Sequence, residues 1–424
     1  MKHITLITNG TRGDVEPFLN FAILLKKRGF LVRLAAPVDF KDWILSNQLE
    51  YASIGLEPIK ELLKATQEQN LLEFNIFKIR KTLAFFKQNV RDVLITTLPH
   101  AAEDTDLIIS HVSLPACSDL AESKNVPLIY ISTVPLTPTK TRPNILMPLK
   151  FGPFSGRFYN QFTHLPVRFS RVFYSAIYKE LRKKLGLPPD SIFTPAFQKA
   201  GSPVPVLHIY SKHLHPRPND WPQTAQIIGY SFNDHEGENW QPPANLAQFL
   251  KEGEPPIYIG FGSMIPQNER ELTELICKAV EKANVRAIIS KGWADLTPLS
   301  HSEKILSLAP MPHHRLFPLC KAVVHHGGAG TTAAGLRAGR PTLICPFAFD
   351  QPFWGQIIAE KKLGPAPIKL KDLTVETLAA SLREINTNPE YQENAKQISV
   401  KINQENAFEN LMPYIDQTLN HSQK

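Results

Sequence analysis

Cysteine is scarce in this chain: four residues in 424, Cys117, Cys277, Cys320 and Cys345, fall in apolar contexts without any CxxC spacing. That excludes a disulfide framework or a thiolate metal site and suggests reduced thiols in a cytoplasmic protein. Long hydrophobic runs are absent too, so no segment approaches the length needed to span a bilayer, and the first ten residues, broken by Thr, Asn and Gly, do not read as a secretory signal. Convergent carboxylates are missing. Asp104 and Asp106 form a superficial DxD, but Asp106 leads straight into the apolar run DLIIS, and no hard-cation site is expected. Neither repeats nor low-complexity tracts occur.

What is present is a soluble, globular composition, with 43% hydrophobic and 20% charged residues and 36 prolines marking many loops. The length exceeds what one core comfortably holds, so two domains are expected. The proline-rich, polar stretch 212–245 suggests a linker between an amino-terminal domain at 1–211 and a carboxyl-terminal domain at 246–424. Strands are expected at 2–8, 30–35, 106–110, 127–132 and 206–210 in the first. In the second they are expected at 256–260, 285–290, 305–308, 321–325 and 342–346.

The most informative stretch is 322–355, AVVHHGGAGTTAAGLRAGRPTLICPFAFDQPFWG, which reads as strand, glycine turn, helix, strand and polar loop. Gly327, Gly328, Ala329 and Gly330 permit close backbone approach, and Thr331 opens a helix whose first amides lack intrahelical partners. With the positive end of the helix dipole, such a terminus suits a diphosphate. His325 adds a donor beside it; adjacent strand residues face opposite ways, so His326 need not do the same. In the loop that follows, Asp350 and Gln351 suit sugar hydroxyls.

These residues carry a resemblance. VVHHGGAGTTAAGLRAGRPTLICPF followed by DQPFWG resembles the donor signature of the family 1 glycosyltransferases of the GT-B fold, in the branch of the sterol glucosyltransferases and the transferases that decorate glycopeptide and other antibiotics. The amino-terminal turn GTRGDVEP extends it, where relatives with a catalytic histidine carry GHxxP; that position here is Asp14. The resemblance implies an α/β protein of two Rossmann-like domains whose parallel sheets face across a cleft, the final helices crossing back to the first domain. It also implies inversion, metal independence and no cofactor beyond a nucleotide-sugar co-substrate.

On this reading Asp14 takes the proton of an acceptor hydroxyl, while the alternative is that it merely caps the following helix, expected at 18–28. His111, at the end of a strand beside Ser113, is a second candidate, as orienting group or base. Thr11, Arg12 and Gly13 form the donor-proximal turn. Gly262 and Ser263 resemble the loop that meets the donor phosphates. Met311 and His313 offer backbone bonds to the base. A tryptophan that plant-type relatives stack on uracil is missing from APMPHHRLF, and Trp293 either replaces it or is a core aromatic, which leaves UDP and dTDP donors both open.

The net charge of +8 concentrates between Lys140 and Lys184, where ten basic residues face one acid, Glu180, interleaved with nine aromatics. Without a nucleic-acid motif, the segment suggests an anionic membrane surface or a solvated helix with a core-facing aromatic stripe. The expected partners are therefore UDP-glucose or a related donor, a small lipophilic acceptor and an anionic lipid surface, with the protein cytoplasmic or peripheral. A nucleotide-sugar-binding protein without catalysis and a sugar-nucleotide epimerase of the same shape are the alternatives.

Overall fold

The computed structural model describes residues 1–68, 79–146, 156–191, 193–233, 240–261, 269–291 and 302–421. It divides into two compact units, one comprising residues 1–212, 216–232 and 406–424, the other 213–215 and 233–405.

The first unit is built on short runs such as ITLI, LIIS and LIYIS, apolar without alternation, which is the pattern of strands covered on both faces. They form β1 (His3–Ile7), β2 (Leu31–Ala36), β3 (Glu50–Ser53), β4 (Leu107–His111), β5 (Leu128–Ser132), β6 (Val206–His208) and β7 (Ala225–Ile227). All pair in parallel, in the order β3-β2-β1-β4-β5-β6-β7. The chain reverses direction along the sheet between β1 and β4, so the ends of those two strands frame a switch point where open α/β sheets hold ligands. Two expectations change here. Helix α1 spans Arg12–Lys27, starting six residues before the expected 18, because Thr11 and Asp14 supply the start signal and Pro17 is tolerated in the first turns. The stretch 212–245, rich in proline, contributes β7 at the sheet edge, where ladder hydrogen bonds are needed on one side only.

The helix Ala407–His421 belongs to this unit: Phe408, Leu411 and Ile415 recur at helical spacing and join the core around Phe18, Leu25 and Ile109. Arg28 ion-pairs with Glu409 beside them.

In the second unit β8 (Ile257–Gly260), β9 (Ala287–Ser290), β10 (Ile305–Leu308), β11 (Ala322–His325) and β12 (Thr342–Ile344) form a parallel sheet ordered β10-β9-β8-β11-β12. One face packs Leu272, Ile276 and Val280 of the helix Glu269–Ala283 with Leu378, Leu382 and Ile385 of Val375–Thr387. The other packs Leu246, Phe249, Leu316 and Phe317. Two parallel, helix-covered sheets make this the expected α/β class.

Candidate functional site

In the first unit, β1 ends in a turn fixed by Gly10, whose φ of +129° lies in the region that favours glycine. Thr11 is extended at the cap of α1, and Asp14, three residues on, returns its Oδ2 to the Thr11 amide at 3.0 Å. The hydroxyl of Thr8 donates to the Asp14 carbonyl at 2.9 Å, which ties the strand end to the helix start. The capping reading of Asp14 is therefore true of one carboxylate oxygen. The other, Oδ1, lies 3.9 Å from Nε2 of His111 at the end of β4.

His111 is held by its own strand end. Its Nδ1 lies 2.7 Å from the Ser113 hydroxyl and 3.4 Å from the Ser113 amide, while Phe18 meets its ring edge-on at 5.9 Å. An amide N–H aimed at Nδ1 favours the tautomer with its proton on Nε2, the nitrogen nearer Asp14, which is buried without a hydrogen-bond partner among the described residues. Burial pushes His111 down to about 4 and Asp14 up to about 6, with the Thr11 hydrogen bonds opposing the latter. The Asp14 side chain keeps 30% exposure, so water moderates its shift. Near neutrality the pair is a neutral imidazole beside a carboxylate poised close to its pKa. Of the adjoining turn, Arg12 pairs with Glu16 at 2.8 Å and covers Trp43 at 4.6 Å, and Gly13 is exposed.

In the second unit, β11 delivers His325 into full burial. Its Nδ1 accepts the Gly327 amide at 2.9 Å, so the proton resides on Nε2, and burial, then the nearby His326 and His313, push its pKa well below the usual histidine value. His325 thus offers an N–H and no positive charge. His326, partly exposed, is itself pushed down to about 4 by burial. Gly327 has φ +97°, and a Cβ there would stand 2.6 Å from the Ile344 side chain and 3.1 Å from that of Gln351. The helix Ala329–Arg337 follows from its cap at Gly328, and its first intrahelical bond runs from Thr332 N to Gly328 O at 3.0 Å. The amides of Ala329, Gly330 and Thr331 precede that bond, the position from which helix termini hold anions.

Asp350 ends the turn after β12, whereas Gln351 is the first residue of a helix rather than of a loop. Asp350 caps the helix Gln351–Glu360 and accepts the Trp354 indole N–H at 2.8 Å; Gln351, buried, accepts the Phe347 and Ala348 amides at 2.7 and 3.0 Å through Oε1. The short polar segment folds back on itself because these acceptors satisfy amides that the end of β12 leaves open. The consequence is proximity: Gln351 abuts Gly327, which joins the two halves of the signature. His313 stacks on Phe317 at 4.5 Å and Met311 packs against the same apolar cluster, so their side chains are structural. Gly262, Ser263 and Trp293 lie outside the described residues. Asp106 pairs with Lys2 and the His3 amide, whereas the carbonyl of Asp104 meets the His3 ring, so the DxD serves the edge of β1.

Sequence reasoning passed over Gly10. Its signal was an Asn-Gly pair directly after an apolar strand, but the reason for glycine there is the Asp14 carboxylate, which only the folded turn reveals.

Two family models match: the glycosyltransferase family 28 N-terminal domain over residues 4–143, and the erythromycin biosynthesis protein CIII-like C-terminal domain over 285–410. A sterol 3-beta-glucosyltransferase of Arabidopsis thaliana is 35% identical over 389 residues, covering 88% of this chain and 59% of that protein. One from Pichia angusta is 34% identical over 415 residues, covering 95% of this chain and 32% of the other. The chain thus spans about three-fifths of the plant relative and one third of the fungal one. Among solved structures, the kitacinnamycin glycotransferase superposes with a TM-score of 0.69 at 17% identity, covering 98% of both chains. The glycosyltransferase VinC in complex with DTDP gives 0.67 at 18%, covering 99% of this chain and all of the other. Joined to the two parallel sheets and the glycine turn after β11, these likenesses show the GT-B fold and a chain that resembles the sterol glucosyltransferase and antibiotic glycosyltransferase branch.

Proposed function

We propose that the protein is an inverting, metal-independent glycosyltransferase that moves a hexose, glucose, from a UDP-sugar to the hydroxyl of a sterol or related lipid alcohol. The relatives named sterol 3-beta-glucosyltransferase support the acceptor class and the sugar. The observation that carries the chemistry is the Asp14–His111 pair: a carboxylate pushed up to about 6 beside a neutral imidazole, at the switch point of the first sheet.

In this reading an acceptor hydroxyl sits within hydrogen-bond reach of Asp14 Oδ1, which takes its proton as the oxygen attacks the anomeric carbon. The free Nε2–H of His111 orients that oxygen. The bond from the anomeric carbon to the diphosphate breaks on the opposite face, and the leaving charge falls to the Ala329, Gly330 and Thr331 amides with His325 Nε2–H and Ser263. Asp350 and Gln351 hold the donor sugar. Gly262 belongs to the phosphate loop, and Met311, His313 and Trp293 belong to the nucleoside side. The proposal includes cytoplasmic residence with peripheral attachment to anionic lipid through residues 140–184.

The test incubates the protein with UDP-glucose or dTDP-glucose, with and without a dispersed sterol, and follows products by mass spectrometry. Glucosylated sterol with release of UDP is expected, and lost with Asp14→Asn. Donor conversion that needs no acceptor would replace transfer with epimerisation, and donor binding without any turnover would leave a binding protein.

A further inference from the structure

The backbone of His111 is fixed on both sides. As the last residue of β4 it pairs with Ile131 of β5, and the Val112 amide donates to the Ile131 carbonyl at 3.0 Å. The Leu114 amide then donates to the His111 carbonyl, also at 3.0 Å, which closes a tight turn over residues 111–114. Ser113 is the third residue of that turn, and the reversal carries both its amide and its hydroxyl back to the His111 ring.

The backbone leaves the ring itself undetermined. Half a turn about Cβ–Cγ would exchange Nδ1 for a carbon on the Ser113 side, and a neutral imidazole can carry its proton on either nitrogen. Only Ser113 answers both questions. The buried Ser110 hydroxyl turns away and donates to the His111 carbonyl at 3.2 Å, and Phe18 offers the ring an apolar edge. Among the described residues, the polar atoms within hydrogen-bond distance of the ring are the Ser113 amide, at 3.4 Å from Nδ1, and the Ser113 hydroxyl, at 2.7 Å. The amide can only donate, so Nδ1 accepts, and at its longer distance the amide holds the ring less firmly than the hydroxyl does.

We propose that Ser113 is a positioning residue for the transfer: its hydroxyl donates to Nδ1 of His111, fixes the ring and keeps the proton on Nε2, so that an acceptor oxygen beside Asp14 meets a donor of fixed direction. This deepens the proposed function and rests on its assignment of His111 as the group that orients the acceptor. Burial lowers His111 to about 4, so near neutrality the ring has one proton to place, and a gain at Nδ1 is a loss at Nε2.

The test joins a spectrum to kinetics. In protein labelled with nitrogen-15 in its histidine rings, with His111 assigned by its disappearance in His111→Gln, the parent at pH 7.5 is expected to show Nε2 protonated and Nδ1 bare. Ser113→Ala should add a population protonated at Nδ1 and raise the acceptor KM about fivefold, the worth of one hydrogen bond, while kcat changes less than about twofold. Ser113 is exposed, so the thermal midpoint and the protection given by UDP-glucose should stay parental, and Ser113→Thr should restore both ring and KM. A parent ring protonated at Nδ1, or a Ser113→Ala protein with parental spectrum and parental acceptor KM, overturns the proposal. So does a variant in which KM, donor protection and midpoint worsen together, since that marks a purely structural role. A parent chain that transfers no sugar sinks the enzymatic assignment instead, and the ring spectrum, which needs no turnover, still decides whether Ser113 sets the tautomer.

Discussion

A Cβ built on Gly10 would stand 2.3 Å from Oδ2 of Asp14, closer than any real side chain approaches. The turn after β1 therefore leaves room for either a residue with a side chain at position 10 or the Asp14 carboxylate in its present place. Gly10→Ala is expected to lower kcat by about a hundredfold, since it displaces the base, and to cost about 1–3 kcal/mol for a strained positive φ. Donor affinity, read by protection against thermal unfolding, should be unchanged. A variant with parental kcat would show that Asp14 is only a cap.

The pH dependence follows from the same carboxylate. Asp14 is raised from 3.8 to about 6, so between those values the folded chain holds a proton that the unfolded chain has lost, and stability falls as pH rises through the window. Asp14→Asn, which keeps the capping acceptor, removes that loss and should stabilise the protein above pH 6 by about 1–2 kcal/mol, allowing for the exposed part of the side chain. Below pH 4 the difference should vanish. In the parent protein kcat/KM should fall with unit slope below about pH 6; a flat profile would argue against a carboxylate base.

His111 acts in the opposite direction. Its pKa is lowered from 6.5 to about 4 by burial, so the unfolded chain binds the extra proton in that interval and stability is lost as pH drops through it. Replacing it by Gln should therefore help the fold more at pH 5 than at pH 7.5, as denaturant titrations at both values would register. If His111 orients the acceptor, KM for the acceptor should rise more than kcat falls.

Gly327→Ala meets Ile344 at 2.6 Å with φ +97° and should abolish donor binding in calorimetry while destabilising the second unit. Gly330→Ala meets nothing within 4 Å and is helical, so it should leave the fold intact or slightly firmer. A loss of donor affinity in this second variant, without loss of stability, would locate the diphosphate against that helix terminus.

Asp119 accepts from two buried guanidinium groups, and Asp119→Ala leaves both without their shared anion. A loss of about 3–5 kcal/mol is expected in chemical denaturation. A smaller effect would mean that water reaches Arg171 and Arg182 more readily than their burial implies.

The two parallel sheets were legible in the chain because continuous apolar runs have one economical use, a strand covered on both faces; LIIS and AVVH fall within a residue or so of where they were expected. The order of signature residues after β11 likewise carried the resemblance to glycosyltransferases. Helix α1 was read six residues short because a lone TRGDVEP looks like a loop until Asp14 folds back on Thr11. Strand β7 was hidden by prolines, which forbid a central strand but not an edge.

The amino-acid sequence alone determined the α/β class and the identity of the residues offered for chemistry, since local periodicity and turn preference act over a few neighbours. Only the tertiary structure decided what those residues can still do. It set Asp14 beside His111, remote in sequence, spent part of Asp350 and Gln351 on their own helix start, and buried Arg171 and Arg182 of the basic segment in ion pairs with Asp119. Burial, and the distance between groups remote in sequence, govern protonation and partner choice, and neither is encoded by spacing along the chain.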